Sequence, residues 1–193
     1  MSGPPNVRRT DKLMSSEGID GLLSTAYRGR HATAGPDGAP YVCPLLYVWM
    51  NGRVWLHNTR ERGHLQRNVR HEARACFEID MPGKVFAYGR FQCDTSIEYR
   101  SVVAFGRLDI IEDRALKAAF FDALMGKYHG DDPARPKCFY PRLDDVTVYA
   151  LTVDRMTGKE TLLPAKEAQW PGADNTKSPD AAPAGGTTRV TLR

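Results

Sequence analysis

Cysteine is scarce in this sequence, long apolar runs are missing, and no glycine-rich nucleotide loop occurs. The four cysteines, Cys43, Cys76, Cys93 and Cys138, include no CxxC pair, which argues against a zinc knuckle or a thioredoxin-type redox motif. A chain of 193 residues builds a sizeable core without disulfides, so buried, reduced thiols are expected. No apolar stretch approaches the roughly 20 residues that a membrane helix needs. The opening Met-Ser-Gly-Pro-Pro-Asn lacks the apolar core of a secretory signal, and a cytoplasmic location is the expectation. Neither GxGxxG nor GxxxxGK followed by Ser or Thr is found, which excludes Rossmann-type and Walker-type phosphate loops. Charge of one sign is also lacking: 27 basic residues face 23 acidic ones, a net +4. Part of that excess lies near the ends, at Arg8, Arg9, Arg189 and Arg193, so no dedicated nucleic-acid surface is expected.

What is present is the balance of a globular domain, with 41% hydrophobic and 26% charged residues. Residues 1–12 read as a polar, Pro-rich arm, 13–170 as one domain, and 171–193 as a flexible tail of Pro, Gly, Ala, Asp and Ser. A brief helix is expected within Asp11–Leu23. Arg28–Ala34 reads as a strand ending at Gly35-Pro36-Asp37-Gly38. Pro40–Met50 and Arg53–Leu56 are rich in β-branched and aromatic residues and flank Asn51-Gly52, the strongest hairpin signal in the chain. A short helix follows over Glu61–Glu72, with Leu65 and Val69 on one face. Arg74–Ile79 reads as a strand stopped by Asp80-Met81-Pro82-Gly83. Tyr99–Ile111 reads as a longer strand, whose Gly106 marks a bulge or a close backbone approach. Asp113 caps a helix running to Tyr128, with Leu116, Ala119, Phe120, Phe121, Leu124 and Met125 as its apolar stripe. Val146–Val153 is the last strand. Hairpins with few crossover helices predict a mainly β (α+β) fold, an antiparallel sheet closed into a small barrel with flanking helices; closure removes exposed edges.

Three stretches carry candidate chemistry. In Cys43-Pro44-Leu45-Leu46-Tyr47 the proline cannot donate to a sheet ladder, so the local backbone is open to a flat ring; an edge-strand proline is the plainer explanation. In His57-Asn58-Thr59-Arg60-Glu61-Arg62-Gly63-His64, hydroxyl, amide, imidazole and guanidinium donors gather where a helix begins, a natural phosphate seat; a solvated, capped turn explains the same residues. Arg100 and Ser101 sit on opposite faces of one strand. There Arg100 reads as half of a structural ion pair, with Glu98 or Asp94 as its partner.

The segments PYVCPLLYVW, RVWLHNT, GHLQRN, RACFEID, IEYRSVVAFGRLDIIED and VYALTVDRMTGKE, in this order, resemble the pyridoxamine-phosphate oxidase-like FMN-binding split barrels. The YRSV, FG and MTGKE pieces resemble the nitroimidazole-resistance subgroup, and the likeness covers Tyr27 to Glu160. The resemblance implies a homodimer with FMN at the subunit interface. It carries the flavin-ring contacts onto Cys43, Pro44, Leu45, Leu46 and Tyr47, and the ribityl-phosphate contacts onto His57, Asn58, Thr59, Gly63 and His64. Ser101 falls where relatives place a polar residue near the flavin. One departure stands out: Leu65 occupies the position where many relatives have a phosphate-binding Lys. The loss of such a contact is worth about 1.5–3 kcal/mol, with His64, Arg60 or Arg62 available to compensate.

An FMN-dependent oxidoreductase acting on a small aromatic or nitro compound is the leading functional expectation. His57 is placed near that pocket, where imidazole exchanges protons near neutral pH. No nucleophile–base pair is visible, so no catalytic residue is assigned. A non-catalytic flavin carrier and a haem-binding barrel are the alternatives; five histidines (His31, His57, His64, His71, His129) offer axial ligands, and their spacing selects none.

Overall fold

Asn51 and Gly52 adopt left-handed backbone, with φ of 53° and 70°, as a two-residue hairpin turn of the primed type requires. In this computed structural model the described residues are 7–61, 63–88, 94–130, 138–166 and 169. The hairpin joins strand β3 (Tyr47–Met50) to β4 (Arg53–Thr59). Before them come a 3-10 turn at Thr10–Lys12, helix α1 (Ser16–Thr25), β1 (Gly29–Ala34) and β2 (Pro40–Leu45). After them come α2 (His64–His71), β5 (Arg74–Ala87), β6 (Thr95–Ile111), α3 (Arg114–His129) and β7 (Val146–Thr161). Residues 1–6 of the predicted arm, Trp170 and the predicted tail from Pro171 lie outside the described residues, as does Cys93.

Helix starts follow their capping residues. The Ser15 hydroxyl accepts from Gly18 N at 3.1 Å, and the Asp113 carboxylate accepts from Leu116 N at 2.9 Å, each satisfying an amide that the first turn leaves open. The expected stripe of α3 is shifted: Phe120 and Leu124 are buried, but Leu116 faces outward and Lys117 is buried in its place. Pro82-Gly83 does not stop β5. The register with β1 covers only Cys76–Glu78, so the missing N–H of Pro82 breaks no bond on that side.

The seven strands lie in the order β2-β1-β5-β6-β7-β4-β3. β2 and β3 are therefore consecutive in the chain yet sit at opposite ends of the order, joined by Leu46 alone. A one-residue link can only join the two ends of a sheet that curls round on itself, and this makes the fold an antiparallel split barrel. The expected single strand over Pro40–Met50 is thus two strands with a corner between them. The backbone freed at that corner is met by α3. The Tyr128 hydroxyl accepts from Tyr47 N at 3.2 Å and lies 2.8 Å from the Tyr27 carbonyl and 3.0 Å from that of Tyr47.

The chain divides into two units, Met1–Asp80 with Ser101–Lys159, and Met81–Arg100 with Glu160–Arg193. In the first unit, side chains alternate between two clusters. Tyr47, Val54, Leu56, Phe77, Tyr149 and Leu151 pack with Leu22 and Leu23 of α1, while Val48, Trp55, Val148 and Ala150 pack under Phe120 and Leu124 of α3. Burial on both faces is why Val148–Leu151 reads as an unbroken apolar run. In the second unit Arg100 pairs with Glu160 at 3.3 Å rather than with Glu98 or Asp94. Glu98 lies close against Gly83 and accepts from Lys84 N at 3.3 Å.

Gly106 is the close approach its position in β6 predicted: a Cβ there would stand 1.9 Å from the Thr152 carbonyl oxygen of β7. The obstacle is backbone and cannot rotate away. Gly106→Ala is therefore expected to lower the unfolding free energy by about 2–3 kcal/mol, the upper range for overpacking, measured by urea denaturation. A loss under ~0.5 kcal/mol, the size of an ordinary surface change, would show that the strands part freely at this point.

Candidate functional site

Along β2, Tyr41, Cys43 and Leu45 turn toward the chain, and Val42, Pro44 and Leu46 turn outward, as period-two alternation dictates. Val42 is 58% exposed and Leu46 38%. β2 pairs with β1 alone and lies at one end of the strand order, which is where a strand can carry Pro40 and Pro44. The inward row leads to α2: the Tyr41 ring stacks on His64, centroids 5.3 Å apart and planes at 27°. The His64 Nδ1 lies 3.0 Å from the Arg67 guanidinium. Gly63 caps α2 without any side-chain bond, so the first-turn amides are not taken by a capping oxygen. Thr59, Gly63, His64 and Arg67 are all exposed. The structure thus sets β2, the strand of Cys43 and Pro44, beside the start of α2 through Tyr41 and His64.

Other predicted residues point elsewhere. The Tyr47 side chain is fully buried, its hydroxyl donating to Leu23 O at 2.6 Å and its ring 4.9 Å from Phe77. His57 and Asn58 diverge because they are neighbours on a strand. His57 packs against Phe120 and Phe121 at 5.6 and 5.1 Å, and burial lowers its pKa. The Asn58 Oδ1 accepts from the Tyr149 hydroxyl at 3.1 Å. Ser101 is half-buried on β6, with β1 and β5 between it and β2 in the strand order. Leu65, at the position where the resemblance leads one to expect a Lys, is a core residue. Arg60 is drawn to the loop before β7, its guanidinium donating to Asp144 O at 3.2 Å and its amide to Asp145 O at 3.0 Å; Arg62 lies outside the described residues.

Sequence reading missed Tyr41 and Arg67. Tyr41 lies two residues before Cys43 on the same strand face, and Arg67 one helical turn after His64, so both spacings were available. It also missed an aromatic cavity of about 570 Å³ lined by Tyr27, Trp49, Tyr128 and Lys127. The Lys127 ammonium sits 3.6 Å from the Tyr47 ring centroid and donates to Leu23 O at 3.3 Å. Burial pushes its pKa down to about 8. The cysteines are less enclosed than expected. Cys43 and Cys76 are half-buried and Cys138 is exposed, because Cys43 lies on an end strand and Cys138 in a connection. Among the described residues no three His, Cys, Asp or Glu side chains cluster as metal ligands, and no helix is long and apolar enough to cross a membrane.

The family model of pyridoxamine 5'-phosphate oxidase matches residues 15–160. The chain belongs to this family. Similar solved structures include an FAD- and haem-binding protein from Mycobacterium smegmatis, 25% identical over 80% of this chain and 76% of that one, with a TM-score of 0.66. A candidate 5-nitroimidazole antibiotic resistance protein from Bacteroides thetaiotaomicron is 24% identical over 77% and 85% of the two chains, with a TM-score of 0.64. The flavocytochrome Anf3 from Azotobacter vinelandii is 18% identical over 93% and 80%, with a TM-score of 0.68. The last two likenesses are likenesses of fold. No curated protein matches the sequence.

Among the family chain's histidines, His31 is the most enclosed. Its ring lies 4.7 Å from Phe77, neither nitrogen has a hydrogen-bond partner, and burial pushes its pKa down to about 3. Above a pH of about 6.5 both folded and unfolded chains hold it neutral. Below that, the unfolded chain gains a proton that the folded one refuses, so its contribution is complete above about 6.5 and is lost as pH falls toward 3. Between roughly pH 6 and 4 the wild type should lose about 1.4 kcal/mol per pH unit more than His31→Phe, read from urea midpoints. Parallel pH profiles for the two proteins would show that the folded chain admits the proton.

Proposed function

We propose that this family member binds a flavin, FMN in particular, as a homodimer and acts as a flavin-dependent oxidoreductase on a small aromatic or nitro compound. The observation that carries the proposal is the Tyr41–His64 stack. It joins an end strand with an outward apolar row to a donor-rich helix start, the two halves of a site for a flat ring with a phosphate tail. The residues present fit that group. The Thr59 hydroxyl, the first-turn amides of α2, His64 and Arg67 are donors of the kind a phosphate dianion takes. Arg67 supplies positive charge that the family's usual Lys, here Leu65, does not. Val42, Pro44 and Leu46 offer an apolar surface, with Cys43 and Leu45 completing the strand beneath the ring. A bound flavin supplies the electron-transfer chemistry.

The chain's own contribution is to bind, to orient and to keep water away. Tyr47, His57 and Asn58 act as supports. Tyr47 fixes the corner after β2, His57 seats β4 on α3, and Asn58 ties β4 to Tyr149. Ser101 joins the proposal on the resemblance alone. The aromatic cavity of Tyr27, Trp49 and Tyr128 suits a planar substrate and begins beside the β2–β3 corner, since Tyr128 holds the Tyr47 backbone. A homodimer is supported by the exposed row Tyr27, Val42 and Leu46, which a second protomer would cover. The hairpin itself gives no such support, because Tyr47 and Trp55 are buried by the chain's own α1 and α3 clusters.

Replacing Thr59 and His64 together by Ala should raise the FMN dissociation constant at least about tenfold, ~1.4 kcal/mol, in a flavin-fluorescence titration; unchanged affinity would remove the turn from the site. The visible spectrum of the purified protein tests the class, a double yellow band for flavin against one Soret band for haem, and mass spectrometry of the released ligand separates FMN from FAD. Oxidation of reduced nicotinamide with a nitroaromatic acceptor separates an enzyme from a carrier. Light scattering at micromolar concentration should return the mass of a dimer, and a monomer mass would end the two-protomer reading.

A further inference from the structure

Among the described residues only six polar or charged side chains are buried, and three of them, Gln66, Lys117 and Thr147, line a single cavity. The cavity holds about 230 Å³ and is bounded by α2, the end of β6, the first turns of α3 and the start of β7. Burying an ammonium is costly unless its protons are met. Lys117 is 6% exposed, and its ammonium, with three donors, reaches one carbonyl, Val146 O, at the long distance of 3.4 Å. Gln66 is oriented by its amide, which donates to the Thr147 hydroxyl at 3.3 Å. Arg60 and Arg70 line the same space. Of the two carboxylates in the wall, Asp144 is held by Arg114 in an ion pair. Arg60, Arg70 and Lys117 then face Glu112 alone, and the cavity keeps an excess of positive charge.

We infer that this cavity is an anion-binding site for phosphate or a small phosphate monoester. Forked guanidinium donors, an ammonium and an oriented amide converge on it from different sides, as a tetrahedral oxyanion with several acceptors requires. The volume leaves room for a small substituent beyond the oxyanion. The site is separate from the proposed flavin seat by helix geometry. Gln66 and Arg70 are one turn apart on one flank of α2, whereas His64 and Asn68 are one turn apart on the flank that meets Tyr41 and Thr33. Arg60, which sequence order places in the flavin turn, is held on the cavity side by Asp144 O and Asp145 O.

The test is calorimetric titration of the full chain, in a buffer free of phosphate and sulfate, with inorganic phosphate and separately with glycerol 3-phosphate. One saturable site per chain is expected when FMN is present at saturation. Its dissociation constant should rise about tenfold or more in Lys117→Met and in Arg70→Gln. Arg70 is exposed, so its variant keeps the test decisive even where Lys117→Met does not fold. Tighter binding of the ester identifies a monoester as the ligand, and tighter binding of phosphate the free ion; either supports the site. Saturation with FMN should leave the phosphate affinity unchanged, which separates this site from the flavin reading. Absence of saturable binding by both anions in the FMN-saturated chain, or unchanged affinity there in Arg70→Gln, would each overturn the inference.

Discussion

The fold depends on one geometrical constraint, the single residue between β2 and β3. Leu46 links strands at opposite ends of a seven-strand order, so the sheet can satisfy its covalent connectivity only by curling until those ends meet. Two further features follow from that corner. Backbone groups that a continuous strand would have paired are freed there, and the Tyr128 hydroxyl of α3 takes them up, since buried backbone polar groups need partners. Tyr47, immediately after the corner, anchors α1 through Leu23 O. Both α1 and α3 are thereby fastened to the residue at which the barrel closes, with Lys127 bound to the same carbonyl.

Helix α2 distributes the polar chemistry. Its eight residues present three faces. Leu65 and Val69 enter the core, His64 and Asn68 meet β2 and β1, and Gln66 and Arg70 border the cationic cavity. A helix this short would be marginal alone; its burial against the barrel, through Leu65 and Val69 in the core, holds it. Its remaining flanks carry basic side chains, with His64 and Arg67 on one side and Arg70 on the other, beside Arg60 and Lys117 in the cavity wall.

Local chemistry made several elements legible before any coordinates. Asn51-Gly52 demands a primed turn and Asp113 a helix cap, each a short-range rule with one structural solution, whereas Gly106 allowed a bulge or a close approach and β7 selected the second. Where the reading failed, a long-range partner decided. Pro40–Met50 has uniform strand character, and nothing within it marks Leu46 as a corner, because the break is set by which strands β2 and β3 pair with. Pro82 lies in a strand because the pairing with β1 ends at Glu78. Lys117 is buried where periodicity favoured Leu116, with its ammonium turned to the Val146 carbonyl at the start of β7.

By itself the sequence determined the family, the mainly antiparallel split barrel and the two stretches from which a flavin site is drawn, because turn residues, alternation and ordered motifs are written in adjacent positions. Only the tertiary structure decided which of those donors share a surface. It turned His57 under α3 and Asn58 toward Tyr149, buried Tyr47, drew Arg60 to the loop before β7, and set Tyr41 on His64. The reason is that neighbours on a strand point to opposite faces, while a curled sheet brings together side chains that the chain keeps far apart. Adjacency along the backbone therefore identifies the kinds of group available, and closure of the barrel selects which of them meet.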